Sequence, residues 1–294
     1  MRLLQGNDQS DVQETSDFAR WLLDIGEGKV GGENDGESDV NIPADLLIDD
    51  SSDPLSDLIE FVYPSLLDNF GDRDFWSERA VLAPTNEVVD DINNRLLSLV
   101  PGEEHEYLSS DSVCQDEIVG DNFDRNLCSP DVLNSLHISG IPNHRLVLKV
   151  GIPVMLLRNI DQRNGLCNGT RLQIVSLGRH VIEAVIISGN NIGFRTFIPR
   201  LSLIPTDNRI AFRFQRRQFP ISVCFAMTIN KSQGQSLSRV GLYLKSPVFS
   251  HGQLYVALSR VKSKKGLKIL ILDEDGRTTN VTRNIVFKSI FSNL

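Results

Sequence analysis

The sequence predicts an α/β layer protein, mainly parallel in its sheet, that carries a small antiparallel β-barrel as an insert. Three observations point there. Residues 80–84 (AVLAP) are a compact apolar run followed by a polar turn and an amphipathic stretch, which is half of a βαβ unit. Residues 146–218 hold a succession of short β-type runs with hairpin signals between them. From residue 221 onward, apolar strand runs and a helical stretch alternate again. With 294 residues and 40% hydrophobic content, one elaborated domain or two modest ones can be built around a real core.

In chain order, residues 16–25 place Phe18, Trp21, Leu22 and Ile25 at helical spacing, with Ser16 as N-cap and Gly26 as stop. The Gly- and acid-rich stretch 26–40 reads as a loop. Residues 56–63 read as a short helix ended by Pro64. After the 80–84 strand, Thr85 and Asn86 open a helix with Val88, Val89, Ile92, Leu96 and Leu97 on one side, stopped by Pro101-Gly102. Residues 103–131, rich in Asp, Glu and Ser, read as a long loop. Then come LVLKV, VMLLRN, RLQIVSL, HVIEAVIIS, GFRTFI and IAFRF, with Gly178-Arg179 and Gly189-Asn190-Asn191 as hairpin turns. ISVCFA (221–226) reads as one strand, followed by the turn TINKSQGQS; VGLYL (240–244) and LKILIL (267–272) are two more strands. Between these two, 251–261 reads as a helix with Leu254, Ala257, Leu258 and Val261 inward. The domain plan is therefore 1–145, an inserted barrel at 146–218, and 219–294, with no internal repeat.

The net charge of −8 conceals a segregation. Residues 1–140 hold 7 Lys/Arg against 32 Asp/Glu, and residues 141–294 hold 23 against 6. Within 146–218 the ratio is 11 basic to 3 acidic. A basic half can hold a nucleic-acid backbone while an acidic half faces elsewhere or forms solvated loops. No apolar stretch is long enough for a bilayer span, and MRLLQGNDQSDVQE has no apolar run of a secretory signal, so an intracellular, membrane-free setting is expected. Cys114, Cys128, Cys167 and Cys224 lack the spacing of a zinc site or a disulfide framework, and the five histidines show no ligand spacing. No metal site is expected.

Three strings could carry chemistry. The first, 226–236 (AMTINKSQGQS), follows a buried strand and so lies at the carboxyl edge where α/β sheets bind ligands. Thr228, Asn230, Lys231 and Ser232 offer donors suited to phosphate oxygens, and Gly234 permits close backbone approach. The same string also reads as an ordinary strand-to-helix loop with Ser232 as cap. The second is 251–261, where Gln253 and Arg260 stand seven residues apart on one helical face. An Arg there can reach a phosphate, or can be a surface residue. The third is the polar loop 163–171, with Asn168 and Thr170, which is equally a backbone-binding loop or a hairpin loop. No GxxxxGK[ST] string occurs in the 294 residues, and Leu272-Asp273-Glu274-Asp275 reads as a turn rather than a metal-binding box.

AVLAPTNEVVDDINNRLL, VGIPVMLLRNIDQRNGLCNGTRL, FAMTINKSQGQSL and GQLYVALSRV, in this order, resemble the C-terminal half of Pif-type helicases, a group that includes the helicases of Helitron transposons. FARWLLDIGEGKVG and NVTRNIVFKSIF resemble the Helitron-type branch, so the resemblance covers nearly the whole chain. It implies the second RecA-like domain of a superfamily-one motor with its inserted barrel. It also implies a 5′→3′ single-stranded DNA track, and ATP and Mg²⁺ bound only when the first motor domain is supplied. Arg260 matches the arginine finger, and Gln253 opens the same motif. Gly234 and Gln235 match the nucleotide-facing end of the preceding motif. Thr228, Asn230, Lys231 and Ser232 match its DNA-facing part, with Asn230 where the family often has His. Asn86, Asn168 and Thr170 are added as candidate DNA contacts. Met1-Arg2-Leu3 resembles the end of a string whose Arg faces the γ-phosphate, which makes Arg2 a second candidate phosphate contact.

The resemblance implies a helicase portion that lacks the P-loop motor domain and its Mg²⁺-binding carboxylates, inactive alone because phosphoryl transfer needs both. Its partners would be single-stranded DNA and the first motor domain, in the nucleus. The alternatives are a non-catalytic single-stranded nucleic-acid-binding fragment and a transposon-derived remnant.

Overall fold

The structure is a computed structural model that describes residues 9–32, 36–48, 51–114, 129–205 and 212–287. Its elements run α1 (Gln9–Gly26), β1 (Glu37–Asn41), α2 (Pro54–Val62), α3 (Arg73–Ser77), β2 (Arg79–Ala83), α4 (Asn86–Leu99), β3 (His105–Leu108), β4 (Ser110–Val113), α5 (Pro130–Ser135), β5 (Arg145–Leu148), β6 (Pro153–Leu156), β7 (Arg171–Leu177) and β8 (Val181–Ile186). They continue as β9 (Arg195–Pro199), β10 (Leu201–Leu203), β11 (Phe214–Gln218), β12 (Ile221–Val223), β13 (Ala226–Thr228), β14 (Arg239–Leu244), α6 (Gln253–Leu258), β15 (Leu267–Ile271) and β16 (Val281–Ile285). Two compact units divide the chain. The first takes the residues up to Arg95 and those from Phe225 on; the second takes Leu96–Cys224.

The first unit is built on a parallel sheet of order β13-β2-β14-β15. Its strands are apolar almost throughout (Val81, Leu82, Val240, Leu242, Ile269, Leu270), as a sheet covered on both faces requires. Helix α2 crosses directly over β14 at Gly241, where a Cβ would lie 2.7 Å from the Val62 side chain and 3.0 Å from Leu58. Asp53 caps α2 by accepting from Ser56 N–H (3.2 Å), and Pro54 supplies the first-turn residue that needs no donor. On α4, the buried Asn93 side chain accepts from Ala226 N–H (2.8 Å) and donates to Ala226 C=O (3.2 Å). The Tyr63 hydroxyl donates to Phe225 C=O (2.5 Å). Together these contacts fix where β13 enters the sheet.

Several expectations are corrected here. Helix α1 begins at Gln9, so Ser16 lies inside it rather than capping it; the Gln13–Asp17 side-chain bond (3.0 Å) supports the extra turns. The 26–40 loop contains most of β1, which pairs antiparallel with β16. The acidic stretch 103–131 contains β3, β4 and the start of α5, while 115–128, with Cys128, lies outside the described residues. ISVCFA is not one strand. Ile221–Val223 pairs antiparallel with β6 in the second unit, and Ala226–Thr228 pairs parallel with β2 in the first.

The second unit holds antiparallel sheets of order β12-β6-β7-β8-β9 and β10-β11-β4, with the pair β3-β5. The turns at Gly178-Arg179 and Gly189–Asn191 join β7 to β8 and β8 to β9. No pairing among the described residues joins β12 to β9, so the larger sheet is open at its edges. The unit is wider than 146–218 because β3, β4 and α5 fold with it. The tie is electrostatic. Arg216 on β11 and Asp111 on β4 are fully buried and joined bidentately (Nη2–Oδ2 2.7 Å, Nε–Oδ1 3.1 Å). The remaining Arg216 donors reach Leu133 C=O (2.7 Å), Leu136 C=O (3.1 Å) and Pro142 C=O (3.1 Å). Two residues on, the Gln218 amide donates to Tyr107 C=O (2.8 Å) and His144 C=O (3.0 Å).

Candidate functional site

In the first unit the carboxyl ends of β2 and β13 lie side by side, Ala83 opposite Thr228. Pro84-Thr85 leads from β2 into α4, whose first residue, Asn86, is exposed. From β13 the chain enters a short 3-10 turn, Ile229–Ser232. Asn86 and the 228–235 loop therefore flank one edge of the sheet, where backbone groups that exit parallel strands are left for a ligand. Ile229 is buried and anchors the turn, which leaves Asn230 exposed and Thr228 and Lys231 half-buried. Gly234 adopts φ +83 with open space where a Cβ would stand. A larger residue would be strained by the backbone alone.

Ser232 does not face this edge. It is 0% exposed, and its hydroxyl donates to Ile229 C=O (2.6 Å), closing the turn from beneath. The structure thus makes it a brace, not a contact. Gln235 folds back so that its amide donates to Lys231 C=O (3.3 Å), while its own N–H donates to Ser232 C=O (3.0 Å).

Arg260 reaches the same loop from α6. The expected 251–261 helix runs only over Gln253–Leu258. It stops because Leu237 N–H donates to Arg260 C=O (2.9 Å) and Lys262 N–H to Leu237 C=O (3.0 Å), which draws the chain into a parallel bridge. The guanidinium of Arg260 donates to Val256 C=O (2.7 Å), Ser259 Oγ (2.7 Å), Gln235 C=O (3.2 Å) and Ser232 C=O (3.5 Å). Partial burial pushes its pKa below the ordinary arginine value. Gln253 is 2% exposed; its Oε1 accepts from Phe249 N–H (3.0 Å), and its Nε2 has no partner among the described residues. A buried N–H without an acceptor is costly unless a water or ligand oxygen meets it. An open glycine and a guanidinium on one loop fit one side of a phosphate site, with the orphan Gln253 amide at the start of α6.

Asn168 and Thr170 belong to the second unit. The Thr170 hydroxyl donates to Gly165 C=O (2.8 Å) and accepts from Cys167 N–H (3.1 Å), so it shapes its own loop. Asn168 is exposed, and its N–H donates to Asn159 Oδ1 (2.7 Å). The loop is further set by Asp161, whose carboxylate accepts from Asn164 Nδ2 (2.6 Å) and Arg163 N–H (3.1 Å); the Asn164 bond holds it below the usual carboxylate range. Arg2 lies outside the described residues. The 272–275 string is a turn, with Asp273 Oδ1 accepting from Arg277 N–H (2.8 Å) and Asp273 N–H donating to Arg277 C=O (2.9 Å). The Arg216–Asp111 pair and the Asn93 clamp carried no local signal, since their partners stand 105 and 133 residues away.

A parallel four-stranded sheet with a polar loop at its carboxyl edge and an arginine folded onto that loop defines an α/β layer with its candidate site at the strand ends. A sequence-family profile described as "DNA helicase Pif1, 2B domain" matches residues 131–177. The chain is 30% identical over 191 residues to the ATP-dependent DNA helicase PIF1 of Xenopus laevis, covering 63% of this chain and 26% of the relative. Against the human protein of that name it is 31% identical over 184 residues, covering 62% and 25%. The crystal structure of a Bacteroides Pif1 helicase in complex with ADP-AlF3 and ssDNA has the same fold, with a TM-score of 0.56 and 20% identity, covering all of this chain and 55% of that one. The chain is thus similar to Pif1-type helicases, by the 2B-domain profile over 131–177 and by these relatives over a little more than 60% of its own length. It spans about a quarter of the length of the curated relatives it matches.

Proposed function

We propose that this chain is the C-terminal portion of an ATP-dependent 5′→3′ DNA helicase, which holds single-stranded DNA and one side of the nucleotide. The observation that carries this reading is the junction of the 228–235 loop with Arg260 at the carboxyl edge of the parallel sheet. Thr228, Asn230, Lys231 and Asn86 would meet the DNA backbone in the first unit, and Asn168 is a separate candidate contact on the second. Ser232 and Thr170 would shape their loops. Gly234, Gln235, Gln253 and Arg260 would line the phosphate side, and the open sheet β12-β6-β7-β8-β9 would be the inserted small barrel of this architecture. When bound, ATP with Mg²⁺ supplies the phosphoanhydride that is cleaved. Arg260 would release its two loop carbonyls to meet the terminal phosphate, and Gln253 Nε2 would donate to a phosphate oxygen. No P-loop string occurs in these 294 residues, so hydrolysis would need a motor domain that supplies one. A helicase portion of this kind would work in the nucleus.

Fluorescence anisotropy with a labelled single-stranded oligonucleotide, across a salt series and with or without ATP, tests the proposal. We expect salt-dependent binding that ATP does not change, and no phosphate release. DNA-stimulated phosphate release that disappears in Arg260→Ala would overturn the inactivity. No binding at low salt would overturn the DNA-holding role.

A further inference from the structure

The edge strand β9 presents a bare aromatic ring. Its residues alternate between solvent and core, so that Arg195, Phe197 and Pro199 face out while Thr196 and Ile198 face in. Phe197 is 66% exposed. The pairing sets Phe197 opposite Glu183, Arg195 opposite Val185 and Pro199 opposite Val181, so these residues share one face. On that face Val181 is also exposed, and the adjoining 179–180 turn brings the exposed Arg179 and His180. Arg195 is 68% exposed yet held in place, because Nη1 donates to Glu183 Oε1 (2.9 Å). Glu183 in turn accepts from Ser176 Oγ (3.3 Å).

We propose that this face is a stacking platform for single-stranded nucleic acid, with an unpaired base on Phe197 and a backbone phosphate on the guanidinium of Arg195. A planar, accessible ring beside a pre-positioned cation is what sequence-tolerant single-strand binding uses. The charge agrees, since residues 146–218 hold 11 basic groups against 3 acidic ones. Strand addition by a protein partner is disfavoured because Pro199 and Arg195 stand on this edge strand, where such residues block pairing. The inference rests on the single-strand reading above and gives the second unit a base contact of its own.

The test uses the full chain with a labelled oligo-dT. In Phe197→Trp, the new indole should be quenched on addition of the oligonucleotide, beyond any change from Trp21 and Trp76 in the parent. Phe197→Ala and Phe197→Leu should both weaken binding by roughly tenfold, because each removes the ring. At 66% exposure neither change threatens folding. If the parent binds but the indole is not quenched, or Leu binds as well as Phe, the platform is overturned while the DNA-holding reading stands. If the parent does not bind at all, both fall. If Phe197→Ala leaves oligonucleotide binding unchanged but dissolves a dimer in sedimentation, the face is a self-association surface instead.

Discussion

At the scale of single residues, local bonding decides which polar groups can serve a ligand. By type and position Ser232 and Thr170 suit DNA phosphates, yet both hydroxyls are engaged by carbonyls of their own loops. Residue type and spacing could not reveal this, because a hydroxyl's orientation depends on the turn it sits in. Gly234 was legible as a special position, and its φ of +83 gives the reason. Gly234→Ala should fold but lose about 1 kcal/mol in a denaturant titration. Glu78 carries a pH signature. Its hydrogen bond to Lys262 Nζ (2.6 Å), followed by that from Ser238 Oγ (2.6 Å), holds its carboxyl below the usual range. A lowered carboxylate pKa stabilises the fold above the unfolded-state pKa and is lost as pH falls through the folded one. Glu78→Gln should therefore be less stable at pH 7, by under about 1 kcal/mol since the carboxylate is half-exposed and screened. Thermal melts of the two proteins should converge only as pH falls through this lowered carboxyl pKa, below the ordinary glutamate value.

At the scale of elements, apolar runs and turn residues were enough to find β2, α4, β7, β8, β14 and β15. They failed where pairing is non-local. β1 is short, with acidic residues on its exposed side, and is a strand only because β16, more than two hundred residues later, offers it a ladder. ISVCFA looks continuous, but its two ends satisfy their backbone groups in different sheets. β4 and β11 are joined by the buried Arg216–Asp111 pair, whose energetics give a sharp prediction. Asp111→Ala leaves an uncompensated buried guanidinium and should cost about 3–5 kcal/mol in chemical denaturation. Replacing both partners by apolar residues, as in Asp111→Leu with Arg216→Met, should recover much of that loss. At the α2–β14 crossing, Gly241→Ala should cost about 1–3 kcal/mol, since its Cβ would press on Val62 and Leu58. A variant with Val62→Ala as well should be less perturbed than the sum of the two changes.

At the scale of the whole molecule, charge segregation makes a prediction that needs no single contact. Binding to single strands should weaken steeply between low and physiological salt, and Lys231→Ala should flatten the slope of log K against log salt by about 0.7 for one lost phosphate contact. Affinity measured at several salt concentrations checks this; an unchanged slope would remove Lys231 from the interface. By itself the sequence determined the α/β class, the order of the loop and helix motifs, the Pif-type likeness and the polarity of charge. Each of these is written in local periodicity or in contiguous strings. Only the tertiary structure decided that the chain crosses between units at Arg95–Leu96 and Cys224–Phe225. It alone folded Arg260 onto the carbonyls of Ser232 and Gln235, turned Ser232 inward and left Phe197 in solvent. The physical reason is the same in each case: a hydrogen bond or a buried surface is settled by residues far apart in the chain, and no local pattern records which distant group will arrive.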